Sequence, residues 1–380
     1  MMRDWIKVLI RPLLYIISFF IPKSFKYVIV GGWNGKRYAD NSRAMYEYLD
    51  KHKSELGIKK VFWYTKSTEI YEMLKEQGKD VLIGKNLKSI YWHFRSKVHI
   101  IDWMYCDIIG ELSVRSIRID LWHGMPLKKF GYMENGATIN KMERFVKEGC
   151  WRKKYLLTTS ELSRELLSWA RGVEKDKCLI ASYPRNEKLY INQDSAKKDD
   201  DLFKVFYLPT FRNNDTVNPI LETDLQLINE NLKEQNIIIY IKPHFASFAE
   251  WNSKANLSNI KVLDAKEDVY EWLHNMDLLI TDYSSVYFDY MLTKRPVLFY
   301  IYDYEYYLND DRGFALPYDK YTPGEKVYET QELFETIKDI KNDYNKYVDK
   351  YKKQYDMVNQ EVNLYTDKPN YDQLLKFWNK

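Results

Sequence analysis

The chain has 380 residues, of which 45% are hydrophobic and 29% are charged, and its net charge is +4. This length favours two domains, and the composition excludes a disordered chain. The charge is too small for a protein that wraps a polyanion, and the aromatic residues are spread along the chain, which argues against nucleic acid binding. The three cysteines, Cys106, Cys150 and Cys178, lack metal-ligand spacing and favour a reducing, cytoplasmic setting.

The amino-terminal segment is predicted to be an amphipathic helix that associates with a membrane. Arg3, Lys7 and Arg11 precede the apolar run LLYIISFFI at 13–21, in which Ser18 is the polar interruption. The run is too short to span a bilayer, which needs about 20 apolar residues. A basic stripe on an otherwise apolar helix is typical of an in-plane anchor. A helix packed on the protein's own core and a signal peptide are the alternatives.

Short β-rich runs alternate with helix-like stretches along the rest of the chain, and this rhythm predicts βαβ units with parallel sheets. A first set of runs lies at 26–33, 59–65, 79–84, 97–102, 117–124, 155–160 and 178–186. A second set lies at 205–212, 236–244, 260–264, 278–285 and 296–303. Between the two sets, the charged segment Ile191–Asp201 has no periodicity and is predicted to be a linker.

The pattern therefore predicts an α/β protein of two Rossmann-like domains that face a central cleft. The predicted parts are a membrane-associating segment, a first domain on the acceptor and membrane side, a second domain, and carboxyl-terminal helices that cross back to the first domain. Their bounds are 1–24, 25–190, 203–345 and 346–380.

Two of the six histidines stand at strand ends inside compact polar motifs. His123 in LWHGMPLK follows an apolar strand directly, with Gly124 in the next turn and Lys128 nearby, and His244 ends the run IIIYIKPH. Loops at strand ends often carry function, and imidazole titrates near neutral pH. The other histidines are interpreted as structural: His52, His93, His99 and His274.

Lys242 and His244 alternate along the end of their strand, so they are predicted to point to the same face. Pro243 between them stops ladder pairing at this point. A fixed cation beside an imidazole suits a phosphate site. The alternative is a lysine that is merely solvated.

Two further strand ends carry polar groups. LPTFR offers Thr210 and Arg212, a hydroxyl and a guanidinium that suit a pyrophosphate, with a surface salt bridge as the alternative. TDYSS offers Ser284 and Ser285 before a predicted helix, where hydroxyls and backbone N–H groups favour an anion. The alternative is that Asp282 or Ser284 only caps that helix.

Several motifs are missing from the sequence, namely GxxxxGK[ST], GxGxxG, HExxH and GxSxG. Walker ATPases, dinucleotide-dependent dehydrogenases, zincins and serine hydrolases are therefore not favoured. The sequence also lacks an Asp-x-Asp pair in a strand-end loop, so neither a metal site nor a cofactor is expected, although assistance by magnesium stays open.

Taken together and in this order, the motifs WHGMPLKKFG, LPTFR, IKPH, TDYSS with VYFDY, and RGFALPY with PGEKV resemble the CDP-glycerol glycerophosphotransferase family of teichoic acid synthesis. The resemblance spans roughly residues 28–345, and the segment GKRYADNSRAMYEYL at 35–49 resembles the family's early Asp-Asn segment. Phe245 and LPYDKY depart from the family pattern, which leaves the donor open between glycerol and ribitol phosphate.

The resemblance implies a GT-B-like pair of domains, with CDP-glycerol as a substrate held mainly by the second one. Glycerol phosphate would pass to a membrane-held acceptor, an undecaprenyl-diphosphate-linked disaccharide, with release of CMP. His123 is the implied base and His244 a second essential group at the donor phosphates. Arg212, Ser284 and Ser285 are implied donor ligands, whereas roles for Thr210, Lys242 and Asp282 are inferred from position alone. Gly124 and Lys128 are also expected to bind substrate.

The resemblance further implies a peripheral protein at the cytoplasmic face of the cell membrane, which it would contact through residues 1–22. Other teichoic acid enzymes are possible partners, and nucleic acid is not. The chain length favours the priming step. The alternatives are a polymerase of glycerol or ribitol phosphate, a GT-B enzyme that acts on a UDP-sugar, and a binding protein without activity.

Overall fold

A computed structural model describes residues 13–14, 16–102, 105–134, 153–191, 202–210, 212, 217–244, 247–264, 266–310 and 313–378. The chain divides into two units. The first unit is Met1–His123, Asn135–Arg185 and Pro369–Lys380, and the second is Gly124–Glu134 and Asn186–Lys368. Each unit has its own parallel sheet.

The first unit is built on a parallel sheet of seven strands in the order β3-β2-β1-β4-β5-β6-β7. The strands are β1 Ser24–Gly31, β2 Lys60–Thr65, β3 Val81–Ile83, β4 Ser96–Ile101, β5 Ile117–Asp120, β6 Lys153–Thr158 and β7 Cys178–Ile180. Val28 in β1 lies opposite Val61 and Val98, and all three are fully buried. Near-continuous apolar strands are expected where helices cover both faces of a parallel sheet.

The α-helices of the first unit connect these strands or pack on their sheet, and they are Asp40–Lys51, Thr68–Glu76, Leu87–Arg95, Glu161–Arg171 and Asp372–Leu375. Local chemistry sets several of their ends. The side chains of Ser67, Asn86 and Ser160 accept hydrogen bonds from the first-turn N–H groups of Ile70, Ser89 and Ser163. The helix Glu161–Arg171 ends at Gly172, which has a φ of 57°, a conformation that costs glycine little.

The second unit is built on a parallel sheet of six strands in the order β10-β9-β8-β11-β12-β13. They are β8 Phe203–Leu208, β9 Ile237–Ile241, β10 Ile260–Val262, β11 Leu278–Thr281, β12 Val297–Tyr300 and β13 Glu325–Val327. Its α-helices are Glu187–Ile191, Leu225–Glu234, Phe248–Ala255, Tyr270–Leu273, Val286–Tyr290, Tyr304–Asp310, Tyr318–Tyr321, Thr330–Asn342 and Tyr344–Val362. The strand order matches that of the first unit, with one strand fewer.

The predicted α/β class with two Rossmann-like parallel sheets is confirmed. In both sheets the strand order reverses beside the first strand, between β1 and β4 in the first unit and between β8 and β11 in the second. Ligands of such sheets bind outside the carboxyl ends of the strands at this reversal. The two reversals therefore define where functional side chains are to be sought.

The division of the chain differs in detail from the predicted domains. Residues 124–134 belong to the second unit, and the change between units falls at Arg185 and Asn186. Pro369–Lys380 belongs to the first unit, in which Trp378 Nε1 donates to the backbone oxygen of Phe25 at 3.1 Å. The predicted linker lies outside the described residues except for Ile191.

The described part of the amino-terminal segment is helical at 13–14 and 16–20. Leu14 and Ile21 pack against a buried cluster of the first unit, while Phe20 is 82% exposed. Ser18, the polar interruption of the apolar run, is fully buried. The basic residues at 3, 7 and 11 lie outside the described residues. In the part of the chain that the structure describes, no helix combines the length and apolar character needed to cross a membrane.

Candidate active site

Thr210 and Asp282 meet at the strand reversal of the second unit, just beyond the ends of β8 and β11. Thr210 Oγ1 donates to Asp282 Oδ1 at 2.5 Å, and the Thr210 backbone N–H donates to Asp282 Oδ2 at 3.0 Å. Asp282 Oδ1 also accepts from the backbone N–H of Tyr283 at 2.5 Å. The fully buried carboxylate of Asp282 thus links the residues that follow β8 and β11 by hydrogen bonds.

Arg212 completes this cluster as a buried ion triad. Its Nη2 donates to Asp282 Oδ2 at 2.9 Å and to Asp303 Oδ1 at 3.0 Å, and its Nε donates to Asp303 Oδ2 at 2.5 Å. Its Nη1 also donates to the backbone oxygen of Thr210 at 2.7 Å. Although desolvation acts against it, Asp282 and then Asp303 hold the pKa of Arg212 above its ordinary value.

The triad is not a surface salt bridge, because Arg212 is only 6% exposed. Within the described part of the chain, four of the five N–H groups of its guanidinium donate to protein oxygens. The role of Arg212 as a donor ligand remains a prediction.

Aromatic rings surround the Arg212 guanidinium, a feature that sequence analysis missed. Its central carbon lies 5.1 Å from the ring of Tyr283, 5.3 Å from that of Tyr302 and 5.5 Å from that of Tyr307. Tyr283 and Tyr307 stack with ring centres 3.7 Å apart. The signal was present in the tyrosine-rich run YDYEYYL at 302–308.

Lys128 comes to the same aromatic group, because its Nζ lies 5.0 Å from the ring centre of Tyr307. Lys128 forms an isolated antiparallel β-bridge with Phe314. Beside it, the backbone N–H of Ala315 donates to the backbone oxygen of Leu127 at 2.8 Å. The structure therefore brings Lys128 beside the cluster of Arg212. Gly124 begins this segment with a φ of 143°, where other residues are strained.

Ser284 and Ser285 form the turn between β11 and the helix Val286–Tyr290, and both are half-buried. Ser285 makes no side-chain capping bond, and the Ser284 hydroxyl meets the N–H of Val286 only at 3.5 Å. A capping role therefore accounts poorly for the two hydroxyls. Their assignment as donor ligands remains a prediction.

Lys242 and His244 follow β9, which neighbours β8. Lys242 is half-buried and His244 is exposed. The backbone N–H of Lys242 donates to the backbone oxygen of Tyr207 at 3.0 Å. Desolvation and then the charge of Lys242 lower the pKa of His244. The carboxyl ends of three adjacent strands, β9, β8 and β11, thus carry the predicted donor-site residues of the second unit.

His123 lies at the corresponding edge of the first unit, three residues beyond β5. Its ring centre lies 4.1 Å from that of Trp122, and the side chain keeps exposed surface. Desolvation lowers the pKa of His123, Asp40 raises it, and Arg185 lowers it further, with a net shift below the ordinary value. The imidazole is therefore neutral near pH 7 and still within reach of a substrate.

Three residues around His123 were given no role by sequence analysis. Arg185 donates to Asp40 Oδ1 at 2.7 Å and to the backbone oxygen of His123 at 3.0 Å. Asn41 donates to the backbone oxygen of Trp122 at 3.0 Å. The sequence signals were the Asp-Asn pair at 40–41 and the polar end of the run at 178–186. Among the described residues, no group of three or more His, Cys, Asp or Glu side chains is arranged to hold a metal ion.

The family model for CDP-glycerol:poly(glycerophosphate) glycerophosphotransferase matches residues 13–377. The chain belongs to this family. It is therefore an enzyme, a glycerophosphotransferase of teichoic acid synthesis, and the interpretations as a UDP-sugar enzyme or an inactive binding protein are set aside.

Individual relatives carry related names. The chain is 29% identical to the teichoic acid glycerol-phosphate transferase of Staphylococcus aureus, over 92% of this chain and 93% of that protein. It is 29% identical to a teichoic acid poly(glycerol phosphate) polymerase of Bacillus subtilis, over 86% of this chain and 45% of that protein. A structure of the wall teichoic acid polymerase TagF soaked with CDPG has a TM-score of 0.73 and 20% identity, over 99% of this chain and 94% of that chain. That likeness bears on the fold alone.

Proposed function

We propose that this glycerophosphotransferase performs the priming step, in which one glycerol-phosphate unit passes from CDP-glycerol to a membrane-held undecaprenyl-diphosphate-linked disaccharide and CMP is released. The observation that carries the donor part of the proposal is the set of polar side chains at the carboxyl edge of the second unit's sheet. Lys242 and His244 follow β9, and Ser284 and Ser285 follow β11. Cations and hydroxyls at such an edge suit the pyrophosphate of a nucleotide donor.

The reaction follows from these groups. The acceptor hydroxyl attacks the glycerol-bearing phosphorus, an O–P bond forms, and the bond from that phosphorus to the oxygen of CMP breaks. His123 takes the hydroxyl proton, which its lowered pKa allows because the ring is neutral near pH 7. Lys242, His244 and the two serine hydroxyls stabilise the charge that builds on the leaving pyrophosphate oxygens.

We also propose that the chain's own cations supply this stabilisation without a resident metal or cofactor. CMP release should then persist after the protein is dialysed against EDTA and assayed in EDTA buffer. Loss of activity that added magnesium restores would contradict this part of the proposal.

Location is proposed as well. We infer that residues 1–22 hold the enzyme at the cytoplasmic face of the cell membrane as a peripheral protein, where its acceptor is anchored and where other teichoic acid enzymes act. The described part of this segment supports the inference, because Leu13, Ile16 and Phe19 are each more than half exposed. Large apolar side chains on an exposed helix favour burial in the membrane interface.

The test is CMP release from CDP-glycerol by the purified protein, with and without a short-chain lipid disaccharide, followed by mass analysis of the product. A product heavier by one glycerol phosphate is expected. His123→Ala should lower turnover by about 100-fold to 10,000-fold, the range for loss of a positioned base. His244→Ala should lower it by about 100-fold to 1,000-fold, the range for loss of a group that stabilises developing charge. His52→Gln is the matched control, since that ring bonds the Tyr48 carbonyl at a helix end. Substantial activity in either alanine variant would remove that histidine from the mechanism.

A polymerase is the second candidate, because the identity to the Bacillus subtilis polymerase equals that to the glycerol-phosphate transferase. A ladder of products from the same assay would favour the polymerase over the primase. Activity with CDP-ribitol but not with CDP-glycerol would place the enzyme with ribitol-phosphate transferases.

A further inference from the structure

Arg185 joins separate parts of the carboxyl edge of the first unit's sheet. It lies in the turn Pro184–Asn186 after β7, and its side chain is buried. Its Nη1 donates to Asp40 Oδ1 at 2.7 Å and its Nη2 donates to the backbone oxygen of His123 at 3.0 Å. A guanidinium presents its N–H groups in a rigid plane. The two contacts therefore fix the His123 backbone relative to the helix that begins at Asp40.

Asn41 holds the preceding residue in the same way. It is fully buried, its Nδ2 donates to the backbone oxygen of Trp122 at 3.0 Å, and its Oδ1 accepts from the backbone N–H of Arg185 at 3.2 Å. Two successive carbonyls, those of Trp122 and His123, are thus held by side chains that come from different parts of the unit.

Two residues at these contacts, Trp122 and Asp40, have an unfavourable backbone conformation. Trp122 has a φ of 58° and Asp40 a φ of 67°, in a region that residues other than glycine rarely occupy. Such conformations persist where surrounding contacts hold them, and they gather at functional sites. Trp122 is further held by its N–H bond to Asp120 Oδ1 at 3.1 Å and by Arg171, which lies 4.9 Å from its ring.

We propose that Arg185 and Asn41 are positioning residues that aim the imidazole of His123 at the acceptor hydroxyl. The catalytic consequence rests on the proposed function, whereas the structural part does not. A displacement of about 1 Å in a reacting group can cost about 100-fold in rate, so a loop released from either side chain would lose turnover while the donor site of the second unit kept its ligands.

The experiment compares Arg185→Lys and Asn41→Ala with the wild-type protein. The lysine keeps the charge opposite Asp40 but gives up one of two directed hydrogen bonds, and the alanine removes both bonds of Asn41 without changing charge. We expect kcat to fall by about 10-fold to 100-fold, while KM for CDP-glycerol stays within about twofold. Arg295→Lys is the control, because that guanidinium also donates to two backbone carbonyls but lies in the second unit.

A second readout does not depend on activity. The pKa of His123 is measured by NMR of ¹⁵N-histidine-labelled protein, with the signal assigned by its loss in His123→Gln. Asp40, Arg185 and Arg171 are charged groups of the described residues that act on this ring, and Asn41→Ala alters none of the three. A shift of the His123 pKa toward its ordinary value in Asn41→Ala therefore reports a displaced ring.

The outcomes separate the two proposals. If both variants fold and keep wild-type kcat and an unmoved His123 signal, the positioning role is wrong. If the wild-type protein shows no transfer from any donor, the proposed function fails, and the NMR titration still decides whether the loop is held. Should the lysine variant not fold, Asn41→Ala carries the test, since it leaves the ion pair of Asp40 and Arg185 in place.

Discussion

His93 uses both nitrogens of its ring inside the core of the first unit. Its Nδ1 contacts the backbone oxygen of Ser89 at 2.6 Å, and its Nε2 accepts from the N–H of Ile109 at 3.2 Å. Nδ1 is therefore the protonated nitrogen and the ring is neutral, in keeping with a structural role. Burial lowers the pKa of His93 to about 4. A second proton would break the bond to Ile109 and place a charge in the core.

This arrangement predicts a dependence of stability on pH. The pKa of His93 is lower in the folded protein than in the unfolded chain, where it is about 6.5. Below pH 6.5 the unfolded state binds a proton that the folded state does not, so the free energy of unfolding falls as the pH drops from about 6.5 to about 4, by at most about 3 kcal/mol. Urea unfolding across this range should show a shallower fall for His93→Gln. An unchanged pH dependence would show that other groups govern it.

A substitution at Arg212 distinguishes a structural role of this residue from a role in ligand binding. Arg212→Met should destabilise the second unit by about 3–5 kcal/mol, because Asp282 and Asp303 would keep buried charge without their cation. Calorimetry of thermal unfolding measures the loss, and Arg43→Met is the control, whose partner Glu47 lies in an exposed helical pair. Weaker CDP-glycerol binding with unchanged stability would instead favour direct contact with the donor.

The sequence predicted the positions of functional residues better than their partners. Thr210, Arg212 and Asp282 do meet at one sheet edge, as strand-end spacing indicates, but their hydrogen bonds run mainly to each other across about 70 residues. Arg185 and Asp40 lie 145 residues apart in the chain. Strand periodicity carries no information about such pairs, because it describes neighbours along the chain and not across the sheet.

At the scale of elements, the helix at 16–20 and the helix Leu87–Arg95 pack against the same buried cluster and both keep apolar side chains outside it. Leu14 and Ile21, which lie before and after the helix at 16–20, contact this cluster, as do Ile90 and Trp92 of the second helix. Leu87 is 86% exposed at the start of the second helix. Both outer faces are therefore candidates for the proposed membrane contact.

We expect Phe20→Glu and Leu87→Glu each to lower the fraction of protein that sediments with phosphatidylglycerol vesicles, because a carboxylate resists burial in the interface and is repelled by anionic lipid. Turnover of a short-chain acceptor should not change. Leu227→Glu is the control, since that leucine is 61% exposed on a helix of the second unit. Equal sedimentation of all variants would favour the alternative in which the amino-terminal helix serves only to pack on the core.

The strands that were expected from apolar runs all occur, and β3, β7 and β10 have only three residues each. The strand Glu325–Val327 was missed. It has three residues, two of them charged, and it forms the edge of the sheet by pairing in parallel with β12. Tertiary pairing, which a local pattern does not contain, decides such short strands.

At the scale of the whole molecule, the chain leaves the first unit and returns to it more than once. The final return brings buried apolar side chains into the first core, namely Tyr371, Leu374, Leu375 and Trp378. This segment is also hydrogen-bonded to the first unit, because the backbone N–H of Ser182 donates to the backbone oxygen of Asn370 at 2.9 Å. Sequence analysis expects the chain to cross back from residue 346 onward, whereas the structure assigns only Pro369–Lys380 to the first unit. The local pattern does not fix this point, because the segment's partners lie at the other end of the sequence.

Leu374→Ala should therefore destabilise the first unit by about 2–5 kcal/mol, the range for truncation of a buried leucine. Hydrogen exchange followed by mass spectrometry should show faster exchange in peptides from β1 and β7 and unchanged exchange in peptides from β8 and β11. Leu364→Ala is the control, as that side chain is 53% exposed. Loss of protection in the second unit alone would contradict the assignment of Pro369–Lys380 to the first.

The return of the carboxyl-terminal segment also affects the order in which the two units complete folding during synthesis. Domains usually fold in the order of their synthesis, the amino-terminal one first. Here Tyr371 and Trp378, which complete the first core, leave the ribosome only after every strand of the second unit has been made. Until then the first unit lacks these side chains and its core exposes apolar surface, and exposed apolar surface on a nascent chain favours aggregation and chaperone binding.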